Sequence, residues 1–239
     1  MNITDTTPTE SNLSGLDRKD FQKNINSRKT DLYILKNAQG MEVAVTNYGC
    51  AILSIMVPDK NGKFANVILG HDSIEHVINS PEPFLSTTIG RYGNRIANGK
   101  FTLYGEEHQL TVNNGPNSLH GGPTGFHARV WDAVQPNEST VIFNYTSADG
   151  EEGFPGTLEV EMTYRLEDET NALVIEYRAT TDKATVVNLT NHGFFNLAGI
   201  SNPSPTVLNN ILTINADFYV PIDAVSYTHL RAHETEADL

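Results

Sequence analysis

The stretch Thr157-Leu158-Glu159-Val160-Glu161-Met162-Thr163-Tyr164-Arg165-Leu166 alternates strictly between two chemistries. Leu158, Val160, Met162 and Tyr164 fall on one face, with Glu159, Glu161 and Arg165 on the other. A period of two is that of a strand with one face buried. Glu167–Asn171 turns the chain, and Ala172–Thr180 returns with Leu173, Ile175 and Tyr177 in the same alternation. Outward from this pair the same texture recurs. Upstream lie Thr140–Tyr145 and a hairpin of Phe101–Tyr104 and His108–Val112 about Gly105–Glu106. Leu32–Leu35 and Glu42–Thr46 flank the turn residues Asn37–Gly40. Ala51–Val57 ends at Pro58, and Ala65–Leu69 resumes after the turn signal Asp59–Gly62. Downstream, Thr185–Leu189 and Leu208–Ile214 complete the series. Asp72–Ile78 alone suggests a short helix. Strands at this spacing, with Gly, Pro and Asn between them, predict an all-β antiparallel sandwich or barrel.

Composition narrows the function classes. The chain has 239 residues, ample for a large core, and its 16 Lys and Arg against 29 Asp and Glu leave a net charge of −13. That balance argues against a nucleic-acid partner, which needs clustered cations. The longest apolar runs, such as Ala51–Pro58, are too short to cross a bilayer, so no membrane partner is expected. A single cysteine, Cys50, excludes an intrachain disulfide framework and a zinc site of several thiolates. Set between Gly49 and Ala51, it reads as a small packing residue. Met1–Asn12 is polar, lacks the apolar core of an export signal, and reads as a disordered tail. The expectation is a cytoplasmic protein, with an exported form open if the true start lies upstream.

Three loops depart from the sandwich texture. Gly90–Gly99 joins Arg91 and Arg95 to three glycines. Asn113–Gly125 is glycine-rich and holds His120. Asn191–Gly199 places His192 after a β-branched run. Such loops let the backbone approach a ligand while the scaffold holds polar side chains in place. A lone loop histidine is ordinarily structural or solvated. Two of them beside Arg and Asn point to a pocket for a polar ligand.

These residues resemble a known family. Gly90-Arg91-Tyr92-Gly93-Asn94-Arg95-Ile96-Ala97-Asn98-Gly99-Lys100-Phe101 is similar to a signature of the aldose 1-epimerases, the galactose mutarotases. So are Asn113-Asn114-Gly115-Pro116-Asn117-Ser118-Leu119-His120-Gly121-Gly122 and Asn188-Leu189-Thr190-Asn191-His192-Gly193-Phe194-Phe195-Asn196-Leu197. Shorter matches are Thr46-Asn47-Tyr48-Gly49, Val67-Ile68-Leu69-Gly70 and Ala216-Asp217-Phe218-Tyr219-Val220-Pro221-Ile222-Asp223. The resemblance runs from Ser14 to Val225. It implies a large antiparallel β-supersandwich, incomplete at its C-terminus, over residues 13–225. Residues 1–12 and 226–239 would then be tails.

The resemblance also implies an isomerase that interconverts the α and β anomers of free hexoses such as galactose and glucose. Ring opening needs a base at the C1 hydroxyl and an acid at the ring oxygen, tasks suited to a carboxylate and a histidine. By resemblance His192 is the general acid, and His120 holds and polarises the same region. Asn94 and Arg95 bind sugar hydroxyls, Arg95 through its rigid fork of donors, and Asp223 binds hydroxyls further round the ring. The small-molecule aldose is the partner, and no metal or organic cofactor is implied. After Asp223 the sequence departs from the family pattern, and the section that carries the family's catalytic Glu has no counterpart here. Glu234 and Glu236 lie in the unlike tail and are not assigned that role. His229 and His233 have helical i, i+4 spacing but no third ligand, which argues against a metal. The chain as written is therefore expected to be a defective mutarotase. Two other readings are a non-catalytic carbohydrate-binding β-sandwich and a sugar-phosphate epimerase of the same fold. The second calls for extra cleft cations, which the acidic balance disfavours.

Overall fold

A computed structural model describes residues 12–201 and 206–218. A small hairpin, β1 (Asn24–Ile25) with β2 (Arg28–Lys29), precedes the first large sheet. That sheet is a meander of β3 (Leu32–Lys36), β4 (Glu42–Thr46), β5 (Ile52–Pro58) and β6 (Phe64–Asn66). The helix α1 (Ile74–Ile78) follows, started by Ser73, whose hydroxyl accepts from the His76 N–H. Short strands come next: β7 (Thr88–Ile89), β8 (Arg95–Ile96), β9 (Lys100–Leu103), β10 (Glu106–Gln109) and β11 (Ser118–Leu119). A second meander runs β12 (Asp132–Asn137), β13 (Thr140–Ser147), β14 (Leu158–Leu166) and β15 (Leu173–Thr181). Finally β16 (Thr190–Asn191) pairs back onto β7, and β8 pairs with β11.

The two four-stranded sheets share one apolar core. Val43, Val45 and Ile52 of the first sheet pack in one cluster with Phe143, Val160, Met162 and Tyr164 of the second. Leu158, Val160, Met162, Tyr164 and Leu166 are all buried along β14, while Glu159 is exposed. The ladder with β15 sets Met162 opposite Tyr177, Tyr164 opposite Ile175 and Leu166 opposite Leu173. A slip of one residue would turn Glu159 and Glu161 into the core, so the alternation fixes the register. Each of these side chains contributes about 1.5–3 kcal/mol on full burial. The Tyr164 hydroxyl lies 2.9 Å from the Cys50 carbonyl, to which it donates, and accepts from the Asn191 carboxamide at 3.0 Å. It thereby ties both sheets to the strand that carries the site. Cys50 is fully buried, and burial pushes its thiol well up, as suits a packing residue.

Several strand expectations change. Thr185–Leu189 forms no strand. Asn188 makes a single bridge to Tyr92, with bonds to the Arg91 carbonyl and from the Gly93 N–H, because its neighbour is a glycine loop with no ladder to extend. Leu208–Ile214 pairs with nothing among the described residues, and Leu208 and Ile211 are 89% and 93% exposed. Strand-prone residues alone do not make a strand where no partner covers them. Conversely, β12 escapes the sequence pattern. It is polar and contains Pro136, which an edge strand tolerates because its outer N–H groups need no partner. The hairpin turn falls at Tyr104–Gly105, both at positive φ, one residue earlier than expected. The expectation for Met1–Asn12, apart from Asn12, and that for 226–239 lie outside the described residues.

Candidate active site

Two structural units meet at the site. In the first, the pairing of β7 with β16 continues past the strand ends. The His192 N–H donates to the Thr87 carbonyl at 2.9 Å, and the Ser86 N–H donates to the His192 carbonyl at 3.0 Å. In the second, β8 and β11 join the two glycine loops, with Leu119 opposite Arg95. Just beyond them, Asn94 and His120 clasp each other. The His120 N–H donates to the Asn94 carbonyl at 3.0 Å, and the Asn94 N–H donates to His120 Nδ1 at 2.9 Å. Both residues have positive φ, 68° and 54°. Gly121 shows why glycine follows. Its φ is +85°, and a Cβ there would sit 1.9 Å from the Gly90 carbonyl oxygen.

The units enclose an open cleft of about 590 Å³, with Glu82, Phe84, Arg95, Asn114, His120, His127 and His192 among its walls. The His120 and His192 rings lie 5.0 Å apart, edge to face at 80°. Burial, then the charges of His192, Arg95 and His127, depress the His120 pKa to about 4. His120 is therefore neutral at pH 7. Since its Nδ1 accepts from Asn94, its proton sits on Nε2, which leaves a hydrogen-bond donor. His127 is 4% exposed, and burial takes it to about 4 as well, against the opposing pull of Glu152.

Arg95 is oriented rather than free to swing. Its Nε donates to Asn114 Oδ1 at 3.0 Å and its Nη1 to Asn94 Oδ1 at 3.4 Å, which leaves Nη2 without a partner among the described residues. Asn94 also accepts from the Arg95 N–H at 2.9 Å, so its carboxamide oxygen serves Arg95.

Of the residues singled out from sequence, His120, His192 and Arg95 come together in the cleft, and Asn94 stands behind Arg95. Asp223 lies outside the described residues, as do His229, His233, Glu234 and Glu236. The two arginines of the first glycine loop separate. Arg91 is 2% exposed and donates to Ser147 Oγ and to the carbonyls of Ser147, Ala148 and Pro155 at 2.8–3.0 Å. It is a structural pin. Sequence reading missed Glu82, Phe84 and His127. His127 follows Gly125-Phe126 in the same loop as His120, which was a usable signal. Phe84, in the aperiodic Ser80-Pro81-Glu82-Pro83-Phe84, offered none. Among the described residues no group of three His, Cys, Asp or Glu could hold a metal, and no helix is long and apolar enough to cross a membrane.

Comparison with known proteins places this geometry. The chain is 43% identical over 185 residues to galactose mutarotase of Bos taurus, covering 77% of this chain and 52% of that protein. It is 42% identical over 198 residues to aldose 1-epimerase of Escherichia coli K12, covering 83% and 56%. The chain thus spans about half the length of the curated relatives it matches. Its backbone superposes on an aldose epimerase homologue from C. elegans with a TM-score of 0.77 at 33% identity, covering 83% of this chain and 59% of that one. Against a galactose 1-epimerase from Lactobacillus acidophilus the TM-score is 0.65 at 32% identity, covering 73% and 51%. The family profile described as aldose 1-epimerase matches residues 31–238, and with the β-sandwich and the paired histidines in their glycine loops, this chain belongs to the aldose 1-epimerase family.

Proposed function

We propose that the cleft binds a free aldohexose and that, in a protein that also supplies the base at C1, His192 and His120 open its ring, so that the α and β anomers interconvert. The observation that carries this reading is the 5.0 Å approach of two histidines from loops over seventy residues apart, beside an oriented arginine. In the reaction the C1 hydroxyl loses its proton to a base, the C1–O5 bond breaks, and O5 takes a proton. The resulting aldehyde turns about C1–C2 and closes on its other face. His192 gives the proton to O5 and recovers it on closure. Neutral His120 donates from Nε2 to the same oxygen, stabilising the charge that develops there without itself titrating. Arg95 fixes the sugar through hydroxyls, and the family resemblance gives Asp223, outside the described residues, a hydroxyl-binding part as well.

The relatives named galactose mutarotase and aldose 1-epimerase support this choice of substrate. So does the charge of the walls, where among the described residues Arg95 and Glu82 are the charged side chains of opposite sign and no cluster of Lys and Arg awaits a phosphate. The test is polarimetry on freshly dissolved α-galactose. The 239-residue chain, in which the resemblance finds no general base, should run near the spontaneous rate. Joined in frame to the family's C-terminal section it should accelerate the change. His192→Ala in that extended protein should then lose about 10²–10⁴-fold. Unchanged turnover in His192→Ala removes it as the acid. Equal rates for the short and extended chains place a base within these 239 residues.

A further inference from the structure

We propose that Phe84 is a positioning residue for the histidine pair: its ring fills the corner between them, holds His120 beside His192 and shields one face of His120 from water. This rests on the reading of the cleft as an aldose site. The Phe84 ring lies 4.8 Å from His120 at 68°, 4.6 Å from His127 at 63° and 6.2 Å from His192 at 39°. Edge-to-face contact at such spacing is the arrangement aromatic rings prefer.

The backbone of Phe84 is anchored on the His192 side. Its carbonyl accepts from the Thr87 N–H at 3.2 Å and the Thr87 hydroxyl at 3.0 Å. The neighbouring Ser86 and Thr87 hold the His192 backbone. His120 belongs to the other unit, clasped by Asn94. No hydrogen bond joins the two imidazoles among the described residues; beside their own edge-to-face contact, ring packing through Phe84 spans the two units at the site.

The consequence concerns protonation. Arg95, His127 and His192 surround His120, and Glu82 stands on the same cleft wall. With the ring in place, one face of half-buried His120 is closed to water, and no carboxylate among the described residues bonds its imidazole. His120 stays neutral, a donor only, while His192 handles the moving proton. Removing the ring admits water, and His120 becomes a second proton carrier that competes with His192.

The test is an NMR titration of the imidazole signals of this chain without sugar. In the parent protein His120 should titrate near 4. In Phe84→Ala its midpoint should rise by at least about one pH unit, toward the ordinary histidine value. Phe84→Tyr, which keeps the ring, should restore the low midpoint. Should Phe84→Ala fail to fold, Phe84→Gln, of similar reach but polar, should raise the midpoint in its place. A folded Ala or Gln variant whose His120 midpoint stays at the parent value overturns the proposal. Titration of the same signals with galactose checks the aldose reading separately. A silent sugar titration alongside a raised midpoint would sink that reading and leave the role of Phe84 in shielding His120 standing.

Discussion

Arg91 offers the sharpest test of how the sandwich supports its site. Replacement by Met keeps most of the buried volume and removes every donor. Four hydrogen bonds go: to Ser147 Oγ, and to the carbonyls of Ser147, Ala148 and Pro155. Their cost is unequal. Ala148 is exposed and Pro155 half-buried, so water can replace the lost donor at their carbonyls. Ser147 is fully buried, and both its hydroxyl and its carbonyl lose a partner. The hydroxyl still donates to Glu151 at 2.7 Å, but that carboxylate loses the nearby guanidinium. A buried polar group left unpaired costs about 1–3 kcal/mol, more when charge is involved, which sums to roughly 3–5 kcal/mol. Arg91→Lys should recover only part, because a point charge cannot match the fork. Urea unfolding of the three proteins, followed by Trp131 fluorescence, measures the differences. A loss below about 1 kcal/mol in Arg91→Met would show that these bonds do not hold the loop, and the reasoning would be wrong.

Three further outcomes follow from the same structure. His120 and His127 have folded pKa values near 4, below the ordinary 6.5. The unfolded state therefore binds more protons between those values, and stability present above pH 6.5 should fall as pH drops toward 4, by roughly 3 kcal/mol for each histidine. Urea midpoints at pH 7 and pH 5 check this, and equal midpoints would contradict it. Gly121→Ala sets a Cβ against the Gly90 carbonyl and should cost about 2–3 kcal/mol or more while disturbing the His120 signals, whereas Gly105→Ala, with open space around it, should cost less. Phe143→Ala, fully buried between the sheets, should cost about 3–5 kcal/mol, read by thermal melting.

Legibility in the sequence followed the physics of burial. The β14–β15 pair was plain because one face of β14 is core and the other wet, so its alternation records its environment. The β12 strand was invisible because its residues are mostly solvated and leave no apolar alternation. Leu208–Ile214 carried the pattern of a strand without the partner that would make one, since pairing is a long-range fact that local spacing does not encode. At the site, glycine and histidine in aperiodic loops marked His120 and His192. The difference between Arg91 and Arg95, four residues apart, was hidden. One is buried by the turn after β13 and the other opens on the cleft, and only the path of distant chain decides which. Phe84 was missed for the same reason, being an ordinary aromatic until three imidazoles surround it.

A free aldose received between His120 and His192 must perturb both rings. The most direct measurement is a titration of the isolated chain with galactose, followed through the histidine imidazole NMR signals. Saturable shifts of His120 and His192 with a common midpoint are expected, with little movement of His76 and His108, which lie outside the cleft, and loss of the response in Arg95→Ala. Stationary His120 and His192 signals, or shifts that spread evenly over all histidines and never saturate, would contradict it.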